Sequence, residues 1–194
     1  MTRKPFIILI TLLIAFTSRG YAQTNPALKS RIDKYMQATR MLEVDRILDL
    51  TYPRLYEMAP RSQLRKALES VFANDMMNLE IDSMSVDEVF PVFTLKNGQY
   101  CKLNYSFVMR MGFKNDTAGL SIARKVLPSV KKKYGADNVR IDEEFGGLAI
   151  SRSSSMAAIK NSYSKDWTFM EIKKDDPLTE KLLGKEVLTK FQQY

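Results

Sequence analysis

The alternation of apolar and polar residues is most regular between Cys101 and Phe113. Odd positions are Cys101, Leu103, Tyr105, Phe107, Met109, Met111 and Phe113; even ones are Lys102, Asn104, Ser106, Val108, Arg110 and Gly112. Period two sustained this long predicts a strand with one face buried. Upstream, Lys96-Asn97-Gly98-Gln99 supplies the Asn-Gly pair of a type I′ two-residue turn. A hairpin closed there pairs residues whose numbers sum to 195, which sets Phe90 against Tyr105, Val92 against Leu103 and Val86 against Met109. In that register Pro91 faces Asn104 in a non-hydrogen-bonded pair, where its missing donor is tolerable.

Before the hairpin the period is helical. Asn25-Pro26 is a start signal, a capping side chain followed by proline at the first helical position. Leu28, Ile32, Tyr35, Met36 and Thr39 then recur on one stripe. Val44, Ile47, Leu48 and Thr51 form a second run, which Tyr52-Pro53 interrupts, and Leu55, Tyr56 and Met58 continue it as far as Pro60. Ser62 is placed to cap a third helix with Leu64, Leu68, Val71 and Phe72 inward. Met77, Leu79 and Ile81 alternate as a first strand ahead of the hairpin.

Downstream, residues 115–117 break the long strand and introduce a helix to Tyr134, closed by Gly135, with Leu120, Ala123, Leu127, Val130 and Tyr134 on one stripe. Lys125 and Lys132 lie opposite, with Arg124, Lys131 and Lys133 between, which reads as a solvated face. Val139 to Asp142 and Leu148 to Arg152 predict a short hairpin around Gly146-Gly147. Met156 to Asn161 and Trp167 to Ile172 are two more strands, and Pro177 opens a closing helix. Helices first and then a mostly antiparallel sheet predict an α+β fold. With no repeat and no interior linker, residues 23–194 read as a single domain.

The first residues change that picture only by removing themselves. Arg3 and Lys4 precede an apolar run from Phe6 to Phe16, and Gly20-Tyr21-Ala22 offers a cleavage site, so residues 1–22 read as a secretory signal peptide. The run spans about half of the ~20 residues a bilayer requires. The expected address is secreted or periplasmic. Loss of Arg3, Lys4 and Arg19 lowers the net charge from +8 to +5, an ordinary surface that gives no case for nucleic acid. Cys101 is the only cysteine and lies on the apolar face, which marks it as a small buried hydrophobe.

Candidate chemistry is sparse. The chain has no histidine, which removes Ser-His-Asp and Cys-His catalysis and most zinc, copper and iron ligand sets. Nothing asks for a cofactor or a metal. Ser129 to Lys132 and Ser162 to Lys165 match Ser-x-x-Lys without the other motifs that give it meaning. Among Asp82, Asp87, Glu88, Asp142, Glu143 and Glu144, only Glu88 is expected on the apolar face, opposite Phe107, where burial would raise its pKa.

The order of elements, the helical run from Val44 to Phe72 and the strand ending in Trp167-Thr168-Phe169 together resemble the nuclear transport factor 2-like superfamily. That resemblance implies a cone, with helices over a curved sheet and a pocket between them. The segment 117–134 and its following hairpin would be an insertion. Members include ketosteroid isomerases, dehydratases and non-enzymatic binding or dimerisation modules, and no aspartate–tyrosine set matches here position by position. The expected function is a non-enzymatic module for a small apolar ligand or a protein partner, homodimerisation being left open. The alternative is an isomerase- or hydrolase-like enzyme using a tyrosine and a buried carboxylate. Tyr35, Tyr56, Phe72, Tyr105 and Met109 are expected to line the pocket, each from the apolar stripe of its own element.

Overall fold

The computed structural model describes residues 25–96, 98–114, 118–173 and 175–194. The proposed signal peptide lies outside the described residues. Three N-terminal helices come first: α1 (Pro26–Arg40), α2 (Val44–Leu50) and α3 (Arg61–Phe72), with a 3-10 turn at Pro53–Glu57 between the last two. The Asn25 side chain accepts from the Ala27 amide, the cap expected of Asn-Pro. At α3 the cap falls on Pro60 instead of Ser62, and no side chain bonds there.

Six strands follow in one sheet: β1 (Met77–Val89), β2 (Phe93–Leu95), β3 (Gly98–Phe113), β4 (Val139–Asp142), β5 (Gly147–Asn161) and β6 (Ser164–Ile172). The path is β1-β3-β5-β4, with β2 beside β3 and β6 beside β5, and all pairings are antiparallel. Helix α4 (Gly119–Tyr134) joins β3 to β4, and α5 (Pro177–Leu183) and α6 (Lys185–Phe191) close the chain. The fold is thus α+β, helices against a curved antiparallel sheet.

The long strand is where its alternation predicts, but its register is different. Leu95 pairs with Gly98, so the turn residues are Lys96 and Asn97, not Asn97 and Gly98; Lys96 takes the positive φ, at 53°. Asn97 itself lies outside the described residues. Gly98 stands in the strand beneath the Tyr100 ring, where an added Cβ would come within 2.6–2.8 Å of that side chain. The glycine therefore makes room for an aromatic ring in a paired strand. Met77 to Ile81 is not a separate strand either; it is the start of β1. Two β-bulges, between Ile81 and Ser83 and between Val86 and Glu88, each take up an extra residue. Val86 consequently meets Tyr105, Val89 meets Leu103 and Ile81 meets Met109. Glu88 pairs with Asn104 and is exposed, while Met84 takes the place opposite Phe107. Pro91 lies between strands, exposed, and opposes nothing.

The hairpin around Gly146-Gly147 forms as expected, Asp142 pairing with Gly147. A Cβ on Gly147 would lie 2.0 Å from the Met111 carbonyl oxygen, so only glycine lets β5 approach β3 here. The two expected strands after this hairpin are one, since β5 runs unbroken from Gly147 to Asn161.

Cross-strand partners share a face, so the registers sort the sheet into two sides. The inner side carries the odd residues of β3 with their partners. One end of it packs under α1, where Leu28, Ile32, Leu103, Met156, Trp167 and Phe169 form a core. Its other end packs under α4, with Met109, Met111, Leu148 and Ile150 against Ala123, Leu127 and Val130. The outer side is half covered by α5 and α6, where Leu182, Val187 and Phe191 seal Ala157, Ile159 and Tyr100. Farther along that side, Arg110 bridges Asp82 at 3.3 Å and the buried Asp142 at 3.2 Å, linking β1, β3 and β4.

Candidate functional site

The apolar inner face is interrupted in one place. Between the end covered by α1 and the end covered by α4, consecutive inner positions of β5 are Arg152 and Ser154, opposite Phe107 and Tyr105 of β3. Glu171 of β6 shares this face, because its partner Met156 does. The Ser154 hydroxyl donates to Glu171 Oε1 at 2.7 Å. A polar group of three thus sits in a surface otherwise built of aromatic and aliphatic side chains.

Two phenols converge on it from opposite layers. Tyr35 comes from α1, its ring tilted against Phe169 at 4.9 Å between centroids. Tyr105 comes from β3, 8% exposed and stacked on Phe107 at 6.0 Å. Burial pushes the Tyr105 hydroxyl above its ordinary pKa and the Glu171 carboxylate adds to the rise, while Ser154 and Arg152 pull against it. Tyr35 is raised further, by burial first and then by Tyr105 and Glu171. Both phenols therefore stay protonated far into the alkaline range, as hydrogen-bond donors. Trp167 Nε1, beneath α1, is buried without a hydrogen-bond partner among the described residues. Such atoms are uncommon in folded proteins.

The sheet is also incomplete at this level. β4 pairs with β5 as far as Ile150, and β6 pairs with it from Ser155 onward. Residues 151–154 thus have no neighbouring strand on that side among the described residues. This notch coincides with the row of Arg152 and Ser154. Tyr134, the last residue of α4, stands at its rim with its ring 5.7 Å from the Arg152 guanidinium.

Of the five expected pocket residues, Tyr35, Phe72 and Tyr105 come together around the core beneath α1 and α3. Met109 belongs to the α4 end, paired with Ile81 and Ile150. Tyr56 is turned elsewhere, donating its hydroxyl to the Leu48 carbonyl of α2 with its ring 6.0 Å from the Arg61 guanidinium. Three surface clefts lie apart from all five. One of about 230 Å³ has a floor of outer-face serines, Ser83, Ser85, Ser106, Ser151 and Ser153, and is also lined by Phe107 and Arg152 at the notch. Another of about 390 Å³ runs between α1 and α2, past Arg31, Lys34 and Asp49. The third, about 560 Å³, lies beside α5 and α6 near Asp176 and Lys185.

Arg152, Ser154 and Glu171 escape a reading based on apolar stripes, because each is the polar exception on its strand. A parity argument could have found them. Glu171 shares parity with Trp167 and Phe169, and Arg152 and Ser154 share it with Ile150 and Met156. The carboxylate on an apolar face is Glu171, not Glu88.

No protein-family model matches the chain, and no curated protein matches it in sequence. Among solved structures it is similar to a "putative aromatic ring hydroxylase" from Novosphingobium aromaticivorans, at 12% identity and a TM-score of 0.35, over 74% of this chain and 81% of that one. It is also similar to a conserved protein from Planctomyces limnophilus, at 8% identity and a TM-score of 0.37, over 75% and 95% of the two chains. A sec-c motif containing protein from Psychrobacter arcticus aligns at 11% identity and a TM-score of 0.34, over 77% of this chain and 60% of that one.

Proposed function

We propose that this chain is an exported, non-enzymatic binding module of the nuclear transport factor 2-like superfamily, which holds a small, largely apolar ligand in the middle of its inner face. Superfamily membership is inferred from the order of helices and strands and the curved sheet. Export is inferred from the basic, apolar and small-residue pattern of residues 1–22. The observation that carries the binding reading is the hydrogen-bonded Ser154–Glu171 pair, set opposite Tyr105 in an apolar surface against which Tyr35 packs. A mostly apolar site with a few convergent polar groups is the usual make-up of a small-molecule pocket. Neutral phenols suit it, because they orient a ligand by donating hydrogen bonds without adding charge. In an isomerase-like proton transfer Glu171 would be the base, and the hydrogen bond from Ser154 favours its ionised form and so lowers its basicity.

The test is titration of the full chain with 2-naphthamide, a neutral aromatic amide, followed by calorimetry. The wild-type protein should bind it at one site, and Tyr105→Phe should weaken binding by about 3- to 10-fold, the worth of one hydrogen bond. Absence of binding, or identical affinity in Tyr105→Phe, would overturn this placement of the site.

A further inference from the structure

Beside the notch, the inner face also carries a charge that the protein leaves unused. Arg152 is exposed, and it forms neither an ion pair nor a hydrogen bond among the described residues. Its surroundings hold it in place without neutralising it. The Tyr134 ring lies 5.7 Å from its guanidinium, and Phe107 is its cross-strand partner. Lys133 Nζ approaches the same Tyr134 ring at 5.1 Å, bringing a second cation to the rim. An arginine stacked on an aromatic face keeps its donor edge available for a planar anion.

Its neighbours grade from charged to apolar. Ser154, the cross-strand partner of Tyr105, lies two residues from Arg152 on the same face and donates to Glu171 at 2.7 Å. Beside Arg152 lie the half-buried ring and thioether of Phe107 and Met84, which pair across β1 and β3. The open flank is at the notch, where residues 151–154 of β5 pair with β3 on one side and have no strand on the other among the described residues.

We propose that Arg152 is the anion anchor of this part of the inner face and that its ligand is an amphipathic monoanion: a carboxylate at Arg152 and an aromatic or aliphatic body over Phe107 and Met84, which lie in one cross-strand row with it. This rests on the binding reading above and adds the charge of the ligand to it. The carboxylate meets the guanidinium at the rim, where it keeps partial contact with water and the cost of desolvation stays small. Glu171, bonded by Ser154 on the same face, repels a second anionic group and accepts from any hydroxyl the body carries. The site thus selects for one negative charge at one end.

The experiment compares two probes with the same aromatic body, 2-naphthoate and neutral 2-naphthamide, each titrated into the full chain. Naphthoate should bind about tenfold more tightly, and that preference should shrink as salt is raised. Arg152→Gln should abolish the preference by weakening naphthoate far more than 2-naphthamide, and Arg152→Lys should keep part of it. Arg152 is exposed, so an unaltered far-UV circular dichroism spectrum and melting point are expected for both variants. Equal affinity for the two probes in the wild type, or a naphthoate preference that survives Arg152→Gln, would overturn the role of Arg152 and leave the inner face a site for neutral ligands. Failure of both probes to bind would overturn the binding reading as well.

Discussion

Tyr105 and Ser106 are consecutive in β3, yet they belong to different environments. Tyr105 faces inward, stacked on Phe107 and held neutral by burial beside Glu171. Ser106 faces outward into a shallow cleft floored by serines, where its hydroxyl donates to the exposed Asp87 at 2.8 Å and meets that of Ser85 at 3.1 Å. The difference is one step of a pleated strand. It teaches that both sides of this sheet carry polar groups, but only the inner side places them where water is scarce. There a hydroxyl or carboxylate is worth most to a ligand and costs most if left alone. The outer serines have solvent and each other.

Core truncation breaks the comparison most severely. Leu103→Ala removes a fully buried inner side chain between Val89 and Met156 and should cost about 2–5 kcal/mol, read by urea unfolding. A cost below 1 kcal/mol would mean the inner face is not the core.

Alkaline titration tests the same side without mutation. Burial pushes the Cys101 thiol from an ordinary 9.0 up to about 12, and the Tyr35, Tyr105 and Tyr52 phenols move in the same direction. Each is an acid whose folded pKa exceeds its unfolded one, so its contribution is complete below the unfolded value and lost as pH rises through the folded value. For Cys101 that window runs from about 9 to about 12, with a loss on the order of 4 kcal/mol across it. Urea unfolding at pH 8 and pH 11 should show the decline, and Cys101→Ala should lessen it. A stability independent of pH over that range would contradict the buried setting of these groups.

Gly98→Val sharpens the outer side. Its added side chain collides with Tyr100, so a loss of about 1–3 kcal/mol is expected, and Tyr100→Ala in the same chain should recover part of it. A loss that Tyr100→Ala leaves untouched would return the explanation to backbone conformation. The smallest effect is Ser106→Ala, expected within about 0.5 kcal/mol because its partners are exposed. A larger cost would show that the serine cleft is more than a solvated surface.

Much of the fold was legible because it depends on local pattern. The helical stripes of Leu28, Ile32 and Tyr35 and of Ala123, Leu127 and Val130 fall on the buried sides of α1 and α4, as their spacing requires. Alternation in β3 likewise placed Leu103 and Tyr105 inward. Registration was less legible. Asn-Gly is a strong turn signal, but Gly98 was needed under Tyr100 and the turn moved back by one residue. A shift of one at the turn changes the sum of partners by two, which by itself changes partners and not faces. The bulges in β1, with no signature in composition, moved the partners again and exchanged the faces of Glu88 and Val89.

The candidate site divides along the same line. That Tyr35, Phe72 and Tyr105 are inward residues follows from the periodicity of their own elements. That Arg152, Ser154 and Glu171 gather beneath Tyr35 does not, because their meeting depends on which strand lies beside which. Period and chemistry along the chain determined which side of each element is apolar, since that preference is set residue by residue by transfer out of water. Only the tertiary structure decided which polar exceptions come together, because a strand's neighbours are chosen by packing among residues distant in the chain. Here that packing left residues 151–154 of β5 with β3 on one side and no strand on the other among the described residues, next to the exposed Arg152.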